Sequence, residues 1–182
     1  MDRPLEEISI RPSDSVGWCE LSLPLKDYVS VGYSLVYPAN WTVRVAGAEA
    51  MNLLFNEGVE AGTSQEVFLQ LAVTYLTLEQ ADQATYGFES SGPEPLLGPS
   101  ETVTRRTIGT IGDKQVLVVR SSVEGFSLRR WFLLYRPQDA EEDYSTLYMF
   151  QVRTPTAIST TVEYAELLGI LERMISSMQF AR

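Results

Sequence analysis

Residues 158 to 178 place Tyr164, Leu167, Leu168, Leu171, Met174, Ile175 and Met178 on one helical stripe, with Glu163, Glu166, Glu172 and Arg173 outside it. A helix patterned this way must lay its apolar side against another element. What precedes it is built for strands. The run EVFLQLAVTYL alternates, with Val67, Leu69, Leu71, Val73 and Tyr75 on one face. TVTRRTIGTIG, KQVLVVRSSV and FSLRRWFLLYR follow one another across the turn signals DK and EG, as in an antiparallel meander, and YSTLYMFQVRT supplies a further strand. Strands in succession with a closing helix define an α+β fold, because the strict strand-helix alternation of a parallel α/β domain is missing.

The remaining segments fit that frame. Residues 1–30 carry Pro4, Pro12 and Pro24 without a sustained period and read as an extended N-terminal arm, leaving residues 31–182 as a single domain. GYSLVYP is a strand of aromatic and β-branched type closed by Pro38, whose missing N–H ends a ladder. The turn PAN then delivers Trp41 toward the core and opens a second short strand, WTVRV. AMNLLFNEG reads as a strand. TLEQADQATYGF has Thr77 and Gln80 in a capping-box spacing and reads as a short helix, and SSGPEPLLGPSE is a loop.

Composition narrows the chemistry. The 182 residues hold 14 Lys and Arg against 24 Asp and Glu, a net charge of −10, which repels a polyphosphate chain and argues against nucleic acid. The basic clusters Arg105, Arg106 and Arg129, Arg130 lie in strands, so each pair divides between two sheet faces, where ion pairs with carboxylates are the expected use. The chain contains no histidine, which removes imidazole-based triads, acid–base catalysis and most zinc, copper and haem sites. Cys19 stands alone and has no imidazole to activate it, so neither a disulfide nor a catalytic thiol is expected. Trp18 before it is too bulky for a bacterial lipidation motif. No run approaches the roughly 20 apolar residues of a membrane span, so no transmembrane segment is expected. A cytoplasmic location follows if Met1 is the natural start, and an extracytoplasmic or thylakoid-side one if Met1 replaces an export signal.

Two stretches carry a family resemblance. GYSLVYPANW, residues 32–41, joins a Gly-aromatic strand to Tyr-Pro and a tryptophan three residues later, and ILERMISSMQF closes a helix on Ser-Ser and an aromatic. With the order of strands between them, including IGDKQVLVV, they make residues 31–181 resemble PsbP-like domains. The resemblance implies an α/β/α sandwich with a central antiparallel sheet and the last helix packed on it. That architecture is shared by PsbP, by exported bacterial proteins and lipoproteins, and by Ran-binding import factors of the Mog type. Members mostly bind other macromolecules, and the photosynthetic ones assist photosystem II; the lack of histidine here departs from a PsbP-type metal role.

The expectation is therefore a non-enzymatic accessory or interaction domain that docks on a larger, membrane or photosynthetic, protein complex. Trp18 in the arm and Pro93, Pro95, Leu96 and Leu97 in the loop are the candidate partner contacts. The alternative is an exported protein binding a small ligand or divalent metal. Its candidate ligands are Asp139, Glu141, Glu142 and Asp143, oxygen donors suited to calcium or manganese but lacking EF-hand spacing. A solvated acidic hairpin is the simpler use of that run, and no cofactor is otherwise expected.

Overall fold

The structure, a computed structural model, describes residues 9–12, 17–23, 33–46, 52–57, 68–77, 100–135, 144–157 and 159–180. In chain order its elements are β1 (Ser9–Pro12), β2 (Trp18–Leu23), β3 (Tyr33–Pro38), β4 (Trp41–Ala46), β5 (Asn52–Glu57) and β6 (Phe68–Thr77). They continue with β7 (Thr102–Ile111), β8 (Lys114–Val123), β9 (Phe126–Tyr135), β10 (Tyr144–Pro155), the helix α1 (Val162–Ser177) and β11 (Gln179–Phe180). The class is α+β.

Where one central sheet is expected, the described strands form two: a four-stranded sheet in the order β1-β2-β3-β11 and a seven-stranded sheet in the order β4-β5-β6-β10-β9-β8-β7. The corner at Pro38 is the reason. β3 reaches Pro38 opposite Trp18 of β2, turns through Ala39 and Asn40, and leaves as β4 in the other sheet. Pro38 has no N–H with which to continue the ladder. The next amide, Ala39 N–H, instead donates to the carbonyl of Gly17 at 2.6 Å, fixing the corner against the start of β2. Two stretches of the expected arm are thus strands, and β2 is hydrogen-bonded to β3 along its length.

In the large sheet, β7 to β10 form the expected meander, and β4 to β6 a second one; β10 joins them by pairing antiparallel with β6, Phe150 opposite Leu71. The β8–β9 turn has positive φ at both Glu124 (44°) and Gly125 (82°), as a type I′ hairpin demands. Gly112, at φ 62°, opens the β7–β8 turn, and a Cβ there would stand 2.6 Å from the Ser176 hydroxyl.

One face of the large sheet contributes Val116, Trp131, Leu133, Tyr148, Phe150, Val152 and Leu71 to the main core. The small sheet adds Leu21, Tyr33, Leu35 and Tyr37 to that core, and α1 adds Leu171, Met174 and Ile175 with Met178 just beyond it. Burying each such side chain contributes on the order of 2 kcal/mol. Phe180 of β11 stacks on Tyr135 at 4.3 Å and lies 5.1 Å from Tyr148, which meets Tyr33 edge-on at 5.4 Å. The opposite face is buried as well, through Leu117, Val119, Phe132 and Leu147.

The helix is held at both ends. Thr161 caps it by accepting from the Tyr164 N–H at 3.2 Å. At the other end Ser177 Oγ donates to the Met174 carbonyl and accepts from the Val36 N–H at 2.9 Å, tying α1 to β3, while Lys114 Nζ donates to the Ser176 carbonyl. α1 is the single helix among the described residues. The helix expected after Thr77 and the loop of residues 91–99 lie outside them.

Candidate functional site

The meander geometry arranges the arginines in a way that their sequence spacing conceals. Each adjacent pair does divide between faces, yet the two hairpin registers set Arg105 opposite Arg120 and Arg120 opposite Arg129. Three guanidinium-bearing residues therefore stand side by side across β7, β8 and β9 on the core face, spanning roughly 10 Å at ordinary strand spacing. Like charges set directly opposite one another in a sheet are destabilising. Among the described residues none of the three arginines has an ion-pair partner, and the Nε of Arg129 is buried without a hydrogen-bond acceptor. Burial, and then the charges of Arg120 and Arg105, push the Arg129 pKa below its usual range, opposed in part by Tyr164 and Glu172.

Two of the row, Arg120 and Arg129, line a half-open cleft of about 490 Å³ between the sheet and the first turn of α1, with Arg105 beside it. Arg120 and Arg129 form its floor, with the hydroxyls of Thr104, Ser122 and Ser127, and Thr161 lies at the helix end. The helix start adds a partial positive charge, while the Tyr164 and Ala165 N–H groups are already bonded to Thr161. Tyr164, Ala165 and Leu168 supply the apolar wall. Burial raises the Tyr164 pKa, while the neighbouring Arg129 and Arg120 partly lower it. Arg129 also stacks toward the wholly buried Trp131, its guanidinium carbon 5.1 Å from the ring centroid. A bulge between Val103 and Arg105 admits Thr104, whose hydroxyl donates to the Arg120 carbonyl at 3.2 Å. One register step outward, Ser122, Ser127 and Thr154 form a parallel row of hydroxyls. Thr154 is wholly buried there, with its hydroxyl unpartnered among the described residues.

The opposite face treats its arginine differently. Arg130 is buried and grips Glu101 with both terminal nitrogens, Nη2 at 2.6 Å from Oε1. Its Nε donates to Gln151 at 2.7 Å, and Ser121 Oγ donates to Glu101 at 3.1 Å. This is the carboxylate pairing expected of the arginines, found for Arg130. It pins the residue that leads into β7.

Of the residues singled out in the sequence, Trp18 lies half-buried on β2, packed against the main core, with the Arg173 guanidinium 3.8 Å above its ring. Trp41 and Trp131 fill the core. Pro93, Pro95, Leu96, Leu97, Asp139, Glu141, Glu142 and Asp143 lie outside the described residues. Among the described residues no group of three or more Cys, Asp and Glu is placed to hold a metal, and no helix is long and apolar enough to cross a membrane. The arginine row was missed because spacing along the chain gives faces and not neighbours. Counting back from the two-residue turns Gly112-Asp113 and Glu124-Gly125 finds it, whereas a turn at DK, one residue further on, sets Arg105 opposite Ser122.

The fold is thus an α+β domain of two antiparallel sheets and one described helix, carrying a cationic cleft at the helix start. No known family profile and no curated protein matches the chain. Among solved structures it is similar to LpqN of Mycobacterium tuberculosis, a protein involved in cell envelope biogenesis. That match has a TM-score of 0.58 at 11% identity and covers 91% of this chain and 92% of LpqN. A structure from Bacteroides thetaiotaomicron aligns with a TM-score of 0.44 at 11% identity, across 82% of this chain and 45% of that one. The shared property with LpqN is the fold.

Proposed function

We propose that this chain is a non-enzymatic accessory domain of the cell envelope that recognises an anionic group of its partner through the cleft at the start of α1. The observation that carries the reading is the cross-strand row Arg105, Arg120 and Arg129, which stands without ion-pair partners among the described residues. Three adjacent cations that no described residue ion-pairs cost stability, and an anionic ligand removes that cost. The envelope assignment is supported by the fold shared with LpqN and by the PsbP-like corner and closing helix, whose three-layer sandwich belongs to the same reading. Pro93, Pro95, Leu96 and Leu97 stay in this reading as candidate partner contacts. No metal or cofactor enters this reading. A second use, capture of a free small ligand in the same cleft, is favoured by its size of about 490 Å³.

A photo-crosslinker placed at the exposed Thr104 and activated in the native host tests the proposal. The expected result is a reproducible adduct with one envelope component that disappears when Arg120 and Arg129 are changed to Gln. An adduct indifferent to those changes, or none above background, refutes it.

A further inference from the structure

We infer that the anionic group taken by the cleft is a phosphoryl group, the terminal dianion of a phosphate monoester, and this rests on the cleft being the binding site proposed above. The donors converge from more than one side. Arg120 and Arg129 rise from the sheet with Arg105 beside Arg120, the hydroxyls of Ser122 and Ser127 lie one step outward, and Ser159, Thr160 and Thr161 line the side where α1 begins.

A carboxylate offers one charge and two coplanar oxygens, which a single guanidinium fork satisfies. A phosphate monoester offers nearly two negative charges and three tetrahedrally disposed oxygens. That matches two neighbouring forks with hydroxyl donors beside them, at the positive end of a helix dipole. Among the described residues, Glu172 acts on Arg129 through its charge and stands on the exposed side of α1. The cleft exceeds a bare phosphate, and its apolar wall of Ala165, Leu168 and Tyr164 leaves room for the organic portion of the ester.

The test titrates the full chain with inorganic phosphate, glycerol phosphate, sulfate and glutarate by calorimetry, with NMR following the Ser122, Ser127 and Val162 amides. Vesicles with and without phosphatidic acid separate a lipid headgroup from a soluble ester. Glycerol phosphate is expected to bind about tenfold or more tightly than glutarate and to shift those amides. Arg120→Gln and Arg129→Gln should each weaken it about tenfold, while Arg153→Gln, on the opposite face, leaves it unchanged. Preference for phosphatidic acid vesicles over glycerol phosphate supports the same chemistry from a lipid source. Equal or tighter binding of glutarate overturns the phosphoryl assignment and leaves the anionic cleft standing. If no ligand shifts those amides while the Thr104 crosslink still depends on the arginines, the phosphoryl assignment falls and the partner reading survives.

Discussion

Replacing Glu101 by Leu should unfold the domain far more readily than its position just before a strand suggests. Glu101 and Arg130 have side chains only 8% and 7% exposed, and they meet in a bidentate pair that Ser121 supports. Removing one partner of such a pair strands a buried charge, at a cost of about 3–5 kcal/mol. Gln151 still accepts from Nε, so the lower half of that range is expected. Against a total stability of about 5–15 kcal/mol this is a large fraction, and for a chain of this length it lowers Tm by about 6–16 °C. Urea unfolding followed by tryptophan emission reads the change as a lower midpoint at constant slope. The double variant Glu101→Leu, Arg130→Met replaces both charges with apolar groups and should recover most of the loss. A Glu101→Leu protein within about 1 kcal/mol of the parent, or a double variant no better than the single one, refutes the argument that burial makes this pair indispensable.

The cleft arginines should behave in the opposite sense: Arg120→Gln relieves two cross-strand repulsions and is expected to raise stability by about 0.2–1 kcal/mol in the free protein, measured by thermal unfolding at low salt. Gly112→Ala forces a side chain into the left-handed region and toward Ser176, and should cost about 1–2 kcal/mol in urea unfolding. Burial raises the pKa of Tyr37 and of Tyr164, so the stability tied to their neutral forms is complete below the unfolded tyrosine value near 10 and lost as pH rises through the folded ones. Tyr37→Phe and Tyr164→Phe should flatten the alkaline limb of a stability–pH curve. Iodide should quench Trp18 only partly and leave the buried Trp41 and Trp131 nearly untouched, so Trp18→Phe should abolish most of the quenching.

The elements that the sequence made legible are those whose period is enforced by one buried face. α1 follows its stripe of Leu171, Met174 and Ile175, and β7 to β10 follow their alternation and the glycines of two tight turns. The split into two sheets was hidden, because it depends on where the ladder past Pro38 finds its next partner. The pairing of β10 with β6 was hidden for the same reason: alternation reports which face a residue takes and says nothing about which strand lies beside it. The corner at Pro38 was visible as a stiff turn; that it transfers the chain between sheets was not. For the cleft, residue types were in plain view, but the arginines were grouped by adjacency along the chain, which is the one relation a strand breaks.

The short strand β11 pairs Gln179 with Ser34 and Phe180 with Tyr33. Its aromatic ring is wedged against Tyr135 and Tyr148. A nascent chain emerging from the ribosome can form the hairpins of the large sheet as they appear. The small sheet, however, must wait with its outer edge open until residues 179–180 have been made. Completion of the small sheet therefore comes after the large-sheet hairpins, and the interval before it is when the β3 edge is most available to chaperones and to strands of other molecules.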